Sequence, residues 1–255
     1  MLDSICVNYR TPKDFQGFVN SWLEDPVGKL ILIDVDPLEG QEIPVGVNDH
    51  PDISYVPFHW NCGYSGAINW GAAMGDNPIL AAFNADVILK PGALKECAMI
   101  LKESPSWGVL GPHQVDEAGL VTHAGIFGTN EAPQFRTFHT PDKPMYHDVQ
   151  EAVTVSGSAY FVKREVWDIL TVCPIYRAAY PDVGGAFLPT PHYYEETFCS
   201  YHARAHGYKV IYYGLVSVIH KWHQASPVGG WAEKQLPISQ KMFREMCDLH
   251  NIPRD

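Results

Sequence analysis

The sequence predicts an α/β protein with a mostly parallel central sheet flanked by helices. Apolar, strand-like runs alternate with helix-like segments through the first half of the chain, which is the pattern of parallel strands joined by crossover helices. Each run leads into polar or glycine-rich residues, so one edge of the sheet should collect the reactive groups. The chain has 255 residues, of which 46% are hydrophobic and 18% charged, enough to bury a substantial core.

The first half contains five predicted strands and three predicted helices. Strand "SICVNY" precedes helix "TPKDFQGFVNSWLE", with Thr11 as the N-cap and Pro12 in the first turn. "KLILIDV" and "ISYVPF" are the next strands, and glycine-rich "NCGYSGAINWGAAMG" leads into a short helix. Strand "PILAAFN", helix "PGALKECAMILKES" and strand "WGVLGP" complete the series.

The pattern changes in the second half. "GLVTHAGIFG" predicts a hairpin, and "EAPQFRTFHTPDKPMYHD" predicts a proline-spaced loop. "AVTVSGSAYFV" precedes the helix start "KREVWDIL", and a glycine- and proline-rich stretch follows. "YYEETFCSYHARAHGY" predicts a helix that ends at Gly207. "KVIYYGLVSVIHKWH" predicts one or two strands, and "EKQLPISQKMFREMCDLHNI" a closing helix.

Charge and composition exclude several classes of function. The 18 basic and 29 acidic residues give a formal net charge of −11. The sequence has no run of basic residues of the kind that contacts a phosphate backbone, so extended nucleic-acid binding is disfavoured. No segment has the roughly eighteen uninterrupted apolar residues of a membrane span, and the start lacks the regions of a secretory signal. We therefore expect a soluble, cytoplasmic protein.

The six cysteines are scattered and form no C-x-x-C pair. This spacing argues against a zinc ribbon or a compact disulfide framework. We expect mostly buried thiols in a reducing compartment.

Six segments carry the functional signal: "VNYRTPKDF", "LILIDVDP", "NCGYSGAINWGAA", "FNADVILKPGAL", "VSGSAYFVKREVWDIL", and "YYEETFCSYHARAHGY" with the following "VSVIHKWHQAS". Their order and spacing resemble those of the family 2 glycosyltransferases, the rhamnosyltransferase-like members in particular. The resemblance implies the GT-A fold, a Rossmann-like sheet with a smaller acceptor-side β/helical half. It implies one domain over residues 1–255, in which 1–112 bind the nucleotide sugar and 113–255 bind the acceptor and supply the catalytic base.

The resemblance also implies which residues contact the donor. Those that match the family's nucleotide-sugar segments are Asn8, Tyr9, Asp34, Asp36, Asn61, Gly63, Gly66 and Asn69. Gly157 and Ser158 match the bend that borders the acceptor site. The implied donor is a UDP-, dTDP- or GDP-linked sugar, and the implied acceptor is a saccharide, a protein or another hydroxyl compound.

"FNADVILKPGAL" resembles the strand end that carries the family's D-x-D motif. Asn84, Ala85 and Asp86 occupy its three positions, so Asp86 is its single carboxylate. An acid is needed there because a divalent cation neutralises the charge of the departing diphosphate. Oxygen ligands suit Mn²⁺ or Mg²⁺, and His220 matches the family's strand-end histidine that helps to hold the metal.

Glu195 and Glu196 stand where the family has a Glu-Asp pair that supplies the base. Glu196 matches the usual base and Glu195 its companion. Neighbours on a helix point in different directions, so one of the two should face the acceptor hydroxyl. Such a base would remove the proton as the oxygen attacks the sugar, in one displacement with inversion.

Each of these residues also has a structural interpretation. Asp34 and Asp86 could cap turns, Tyr9 and Trp70 could be core aromatics, and the two glutamates could be a solvated helix start. His220 could be a satisfied histidine at a strand end. The shared order of the six segments favours the functional interpretation.

Three alternative functions stay open. His202 and His206 could bind zinc with His220 or His223 in a metal-dependent hydrolase, although Ala203 replaces the expected glutamate. Ser65 in "GYSGA" could be the nucleophile of a serine hydrolase, although residues 59–62 separate it from the preceding strand. A sugar-nucleotide-binding protein without catalysis is the third, and Asn84 is the feature that keeps it open.

Overall fold

The computed structural model describes residues 1–129, 133–222 and 230–253, and these contain one large mixed sheet with helices on both faces. The elements of the first half are β1 (Leu2–Tyr9), α1 (Pro12–Glu24), β2 (Lys29–Val35), β3 (Ile53–Phe58), α2 (Gly63–Met74), β4 (Ile79–Asn84), β5 (Val87–Ile88), α3 (Ala93–Glu103) and β6 (Trp107–Val115). Every strand and helix predicted in this half is present.

The described residues of the second half add further strands, most of them to the same sheet, and four α-helices. Its elements are β7 (Val121–His123), β8 (Ile126–Gly128), β9 (Pro133–Phe135), a 3-10 turn (Pro144–Tyr146), β10 (Val149–Ala152), β11 (Ala159–Lys163), α4 (Arg164–Thr171), α5 (Pro174–Ala179), α6 (Glu195–Ala205), β12 (Lys209–His220) and α7 (Trp231–Leu249). The short helix α5, within the glycine- and proline-rich stretch, was not predicted.

The strand order is β10-β12-β6-β11-β4-β1-β2-β3, with β5 paired to β12 and β7 to β6. β1 runs parallel to both β2 and β4, and β2 runs parallel to β3. β11 is antiparallel to both of its neighbours. The predicted α/β class with a mostly parallel sheet is confirmed.

Two buried clusters cover the two faces of the sheet, because successive side chains of a strand point to opposite faces. On β1, Ile5 and Val7 belong to one cluster, whereas Leu2 and Cys6 belong to the other. The second cluster includes Phe15, Phe18 and Trp22 of α1, the apolar helix face expected from the sequence. All six cysteines lie in the described ranges as free thiols, four of them buried.

The predicted hairpin in residues 119–128 is wrong. β7 pairs with β6, and β8 pairs with β9, so the two strands of this segment do not pair with each other. Gly125 separates them with φ +91, a backbone conformation that glycine adopts without steric cost. The chain turns there and leaves the main sheet.

Among the helices of the described residues, none combines the length and the apolar composition that a membrane span requires.

Candidate active site

A cavity of about 960 Å³ opens at the carboxyl ends of β1 and β4. The order of the strands reverses between these two, which is where α/β sheets bind ligands. Most of the predicted site residues line this cavity: Tyr9, Asn61, Gly63, Asn84, Ala85, Asp86, Gly157, Ser158, Glu195, Glu196 and His220. Residues up to 211 positions apart in the sequence (9 to 220) thus meet in one space.

Asp86 and His220 form a close pair inside the cavity. Asp86 Oδ1 lies 3.4 Å from His220 Nε2, and both side chains are largely buried. Strand pairing produces this contact, because His220 is directly opposite Val87 in the β12–β5 ladder. The N–H of Lys221 also donates to the carbonyl of Asp86 at 3.0 Å.

The backbone of the Asn84-Ala85-Asp86 segment is fixed by three neighbouring strands. The Asn84 N–H donates to the carbonyl of Ser158 and the Ala85 N–H to that of Val7, each at 3.1 Å. The segment is therefore not a free surface turn. Its side chains are presented to the cavity in a defined orientation.

The two glutamates begin α6, and the chain enters this helix in a strained conformation. Tyr193 and Tyr194 have φ of 66° and 70°, a region that non-glycine residues rarely adopt. Such strain persists only where the surrounding structure enforces it, and it concentrates at functional sites. The Tyr194 ring packs against Phe243 of α7 with centroids 5.0 Å apart, which helps to hold this entry.

Burial raises the pKa of both glutamates. Glu195 is 6% exposed, and after burial the charge of Glu196 is the next cause of its raised pKa. Thr190 Oγ1 lies 3.3 Å from Glu195 Oε2. For Glu196 burial is again the largest cause, opposed by hydrogen bonds from backbone groups that include Gly157 and Thr197. A carboxylate with a raised pKa is a stronger proton acceptor, as a general base requires.

Gly157 lies directly against Glu196. A Cβ atom at this position would be 3.2 Å from Glu196 Cδ and 3.3 Å from its Cγ. The Gly157 carbonyl accepts a 2.6 Å hydrogen bond from the Tyr64 hydroxyl. The bend at Gly157, held by Tyr64 of α2, thus limits the space available to the Glu196 side chain.

Asn8 and Asp34 do not line the cavity, although they lie at the ends of its strands. Both are fully buried, and Asn8 Nδ2 donates to Asp34 Oδ1 at 2.8 Å. Asp34 Oδ2 accepts from Gln41 Nε2 at 2.6 Å and from the Tyr55 hydroxyl at 2.8 Å. Burial raises the Asp34 pKa, against the effect of these hydrogen bonds. A contact between Asp34 and a nucleotide stays a prediction.

Asp36, Gly66 and Asn69 also lie outside the cavity lining. Asp36 pairs with Arg10 at the surface. Gly66 lies in the first turn of α2, where an added Cβ atom would be 3.4 Å from the Cβ of Cys62. Asn69 is buried and binds the backbone of Phe187, donating to its carbonyl at 2.9 Å and accepting from its N–H at 3.0 Å. Asn69 thus fixes the backbone at Phe187 rather than lining the cavity.

Aromatic side chains at the cavity opening were largely missed by the sequence analysis. Phe135 ends β9 and Phe138 follows it, both within the segment predicted as a proline-spaced loop. Trp222 follows the end of β12, and Trp231 begins α7. The Phe138 and Trp222 ring centroids are 4.9 Å apart with an edge-to-face geometry. Trp222 stands two positions after His220, so the site histidine could have indicated it. Residues 130–132 of the loop lie outside the described residues.

Asp86 and His220 fit a divalent cation. Adjacent ligands of an octahedral Mn²⁺ or Mg²⁺ ion are about 3 Å apart, close to the observed 3.4 Å. An imidazole with a carboxylate suits Mn²⁺, and such ions commonly take their remaining ligands from substrate phosphates and water. The two residues can therefore complete a site together with a diphosphate.

Two structural interpretations and two hydrolase interpretations made from the sequence do not fit the structure. Trp70 is 58% exposed and is not a core aromatic, and Glu195 is buried rather than solvated. Ser65 is the third residue of α2, with residues 59–62 between that helix and the end of β3, so no nucleophile elbow forms. His202 packs against His250 rather than lining the cavity with His220. His223 lies outside the described residues.

Comparison with protein families finds a match over part of the chain. Residues 41–150 match the model of the glycosyl transferase family 2. The match includes Asn61, Asn84 and Asp86 but ends before Glu195 and His220. The rhamnosyltransferase-like subtype stays a prediction. No curated protein sequence matches the chain.

Solved structures share the fold at low sequence identity. A mannosyltransferase from Pyrobaculum calidifontis, solved with GDP-Man and Mn²⁺, has TM-score 0.59 and 15% identity over 88% of this chain and 58% of its own. GalNAc-T7, solved with UDP, GalNAc and Mn²⁺, has TM-score 0.63 and 12% identity over 98% and 48%. S. aureus TarS 1-349, solved with UDP-GlcNAc, has TM-score 0.62 and 10% identity over 94% and 66%.

These comparisons confirm the GT-A fold. The chain spans about half to two thirds of the length of these structures. The family match covers residues 41–150, and the likeness to the solved structures concerns the fold.

Proposed function

We propose that this chain transfers a sugar from a nucleoside diphosphate to an acceptor hydroxyl with inversion of the anomeric configuration. The family 2 glycosyltransferase match over residues 41–150 supports this proposal. One observation carries the proposal: the Asp86–His220 pair and the Glu195–Glu196 pair line the same cavity. The first pair suits a cation and a diphosphate, and the second suits a proton acceptor. Transfer of a sugar from a diphosphate to a hydroxyl needs neutralisation of the charge on the leaving group and acceptance of the hydroxyl proton.

Asp86 and His220 are the residues that would hold Mn²⁺ or Mg²⁺. When bound, the ion supplies charge neutralisation for the departing diphosphate. The chain's own contribution is to fix the carboxylate and the imidazole at a constant separation, through the β12–β5 ladder and the Lys221 to Asp86 hydrogen bond. This preorganisation lowers the cost of binding the donor.

Glu196 is the proposed base. The acceptor oxygen forms a bond to C1 of the sugar while the bond from C1 to the diphosphate oxygen breaks, and the acceptor proton moves to the Glu196 carboxylate. Attack on the face opposite the leaving group inverts the anomeric configuration. Burial raises the pKa of the Glu196 carboxylate, and hydrogen bonds from the backbone groups of Gly157 and Thr197 hold it in place. Glu195 lies beside it, near Thr190, with its own pKa raised by burial and by the charge of Glu196.

The remaining donor contacts follow from position. Tyr9, Asn61 and Gly63 lie at the ends of β1 and at the start of α2, where they line the wall next to Asp86. The acceptor enters between Gly157 and the aromatic opening formed by Phe135, Phe138, Trp222 and Trp231. Aromatic faces pack well against the apolar faces of sugar rings, which favours a saccharide acceptor.

The test is consumption of donor by the purified chain. UDP-, GDP- and dTDP-linked sugars are incubated with Mn²⁺, and the released nucleotide and sugar are quantified, with the anomer of the first-formed product identified by NMR. We expect turnover of at least one donor with inverted configuration. Product of retained configuration, or no consumption of any donor with or without added saccharides, would contradict the proposal.

A sugar-nucleotide-binding protein without catalysis is the second candidate. Asn84 favours it, because the D-x-D position then holds a single carboxylate. This candidate predicts nucleotide binding without donor consumption under every condition tested.

A further inference from the structure

Three side chains that could bind a metal converge outside the cavity lining. Cys173, His202 and His250 each offer one ligand atom, and these atoms all lie within 4.8 Å of one another. Cys173 immediately precedes α5, His202 lies in the last turn of α6, and His250 immediately follows α7. None of the three lines the cavity.

Two observations show that this cluster needs a further partner. The Nε2 atoms of His202 and His250 are both buried without a hydrogen-bond partner among the described residues. His202 is 2% exposed, and its ring meets that of His250 edge to face with centroids 5.1 Å apart. Buried polar groups are nearly always satisfied, so the Nε2 atom of His202 indicates a missing ligand. His250 faces Cys173 through its other ring nitrogen, Nδ1.

We propose that Cys173, His202 and His250 bind a structural zinc ion that fastens the end of α7 to α6. A thiolate and two imidazoles are donors that zinc prefers, and a water molecule can complete four-coordination. A tetrahedral zinc holds sulfur and nitrogen ligands about 3.5 Å apart. Cys173 Sγ and His250 Nδ1 are 4.0 Å apart, so a small rotation of either side chain meets this requirement.

The site is not the hydrolase site considered from the sequence, because its partners for His202 are Cys173 and His250 rather than His206 and His220. His202 of this site lies six residues after Glu196 on α6, a rise of about 9 Å. An ion bound there would brace the helix that carries the proposed base.

The test measures metal content and thermal unfolding of the whole chain. The protein is stripped with a chelator, dialysed with Zn²⁺ and freed of excess ion, and zinc is quantified by mass spectrometry. We expect about one tightly held zinc per chain and a higher midpoint of thermal unfolding, because the ion binds the folded state. Replacement by Co²⁺ should give a thiolate-to-cobalt charge-transfer band that Cys173→Ser abolishes.

Variants separate this site from other metal-binding groups. Cys173→Ser and His250→Gln, both at half-buried positions, should weaken zinc binding roughly 100-fold. His147→Ala removes a ligand from the other cluster, His113–Asp142–His147, and Asp86→Asn alters the cavity; both should retain zinc. Loss of zinc in either control but not in Cys173→Ser, or no zinc retained by the unaltered chain, would overturn the proposal. Neither result depends on glycosyl transfer.

Discussion

The Asp86 carboxylate and the His220 imidazole lie 3.4 Å apart because Val87 and His220 are partners in a two-residue strand ladder. The resemblance to glycosyltransferases implied both residues as metal ligands, although 134 positions separate them in the sequence (86 to 220). Under the proposed function, His220 supplies a second metal ligand beside Asp86, because Asn84 replaces the first acid of the D-x-D motif.

Glu196→Gln should lower turnover of the donor by roughly 100-fold or more, because the amide cannot accept the acceptor proton. Nucleotide affinity should stay within about twofold, since the residue is not among the diphosphate ligands proposed here. Steady-state kinetics and calorimetry measure the two effects. Glu195→Gln is the matched variant, and a larger loss of turnover in it than in Glu196→Gln would move the base by one position.

The glutamate pair should make the protein less stable as pH rises. Both folded-state pKa values are raised above the unfolded value of about 4.3, so the folded chain binds more protons than the unfolded chain. Their contribution is fully present below that unfolded value and is lost as pH rises through the raised values. The free energy of unfolding should fall by up to about 1.4 kcal/mol per pH unit for each group in this window.

Urea unfolding at several pH values from roughly 5 to 9 measures this dependence. Replacing both Glu195 and Glu196 by Gln should flatten the slope. An identical slope in the unaltered chain and the double variant would show that other groups carry it. In activity, the same raised pKa predicts that turnover rises with pH until Glu196 is ionised.

Gly157→Ala should impair catalysis without unfolding the protein. The new Cβ would lie 3.2 Å from Glu196 Cδ, so the carboxylate must shift by a few tenths of an ångström. Misplaced catalytic groups cost up to about 100-fold in rate, and we expect turnover to fall at least tenfold. Gly184→Ala is the control, since its Cβ meets nothing within 4 Å. Equal activity in the two variants would contradict the packing described for Glu196.

Asn69→Ala should act on stability rather than on nucleotide affinity. The change removes two hydrogen bonds to Phe187 in a buried region, a loss of about 2 to 4 kcal/mol in the free energy of unfolding. Asn61→Ala at the exposed cavity edge is the comparison. Unchanged stability with weakened nucleotide binding would instead favour the nucleotide-pocket role implied by the resemblance.

The sequence predicted the elements of the first half because each of them carries its own local signal. Thr11 and Pro12 mark the start of α1, and buried apolar runs mark β1, β2 and β4. It failed at the 119–128 segment, because the local pattern does not show which adjacent strand each of its strands pairs with. β7 pairs with the preceding β6, and β8 pairs with the following β9. A local pattern of apolar residues around Gly125 does not encode that choice.

For the site, the motif pattern indicated which residues meet but not how each side chain is used. Asp86, Glu196 and His220 line one cavity. Asp34 and Asn69 instead form hydrogen bonds within the protein, to Tyr55 and to the backbone of Phe187. Burial and hydrogen-bond partners decide between the two roles, and both are properties of the folded chain. The aromatic opening escaped notice because Phe138 and Trp222 belong to segments 84 positions apart (138 to 222).

Calorimetric titration of UDP, GDP and dTDP into the protein with and without Mn²⁺ tests the central claim most directly. The account predicts that at least one of the three binds, that Mn²⁺ strengthens its binding, and that Asp86→Asn and His220→Ala each weaken it at least tenfold, about 1.4 kcal/mol. Ser217→Ala, on the same strand as His220 but outside the cavity lining, should leave the affinity unchanged. Absence of binding for all three nucleotides in the presence of Mn²⁺, or affinity that neither Asp86→Asn nor His220→Ala alters, would contradict the account.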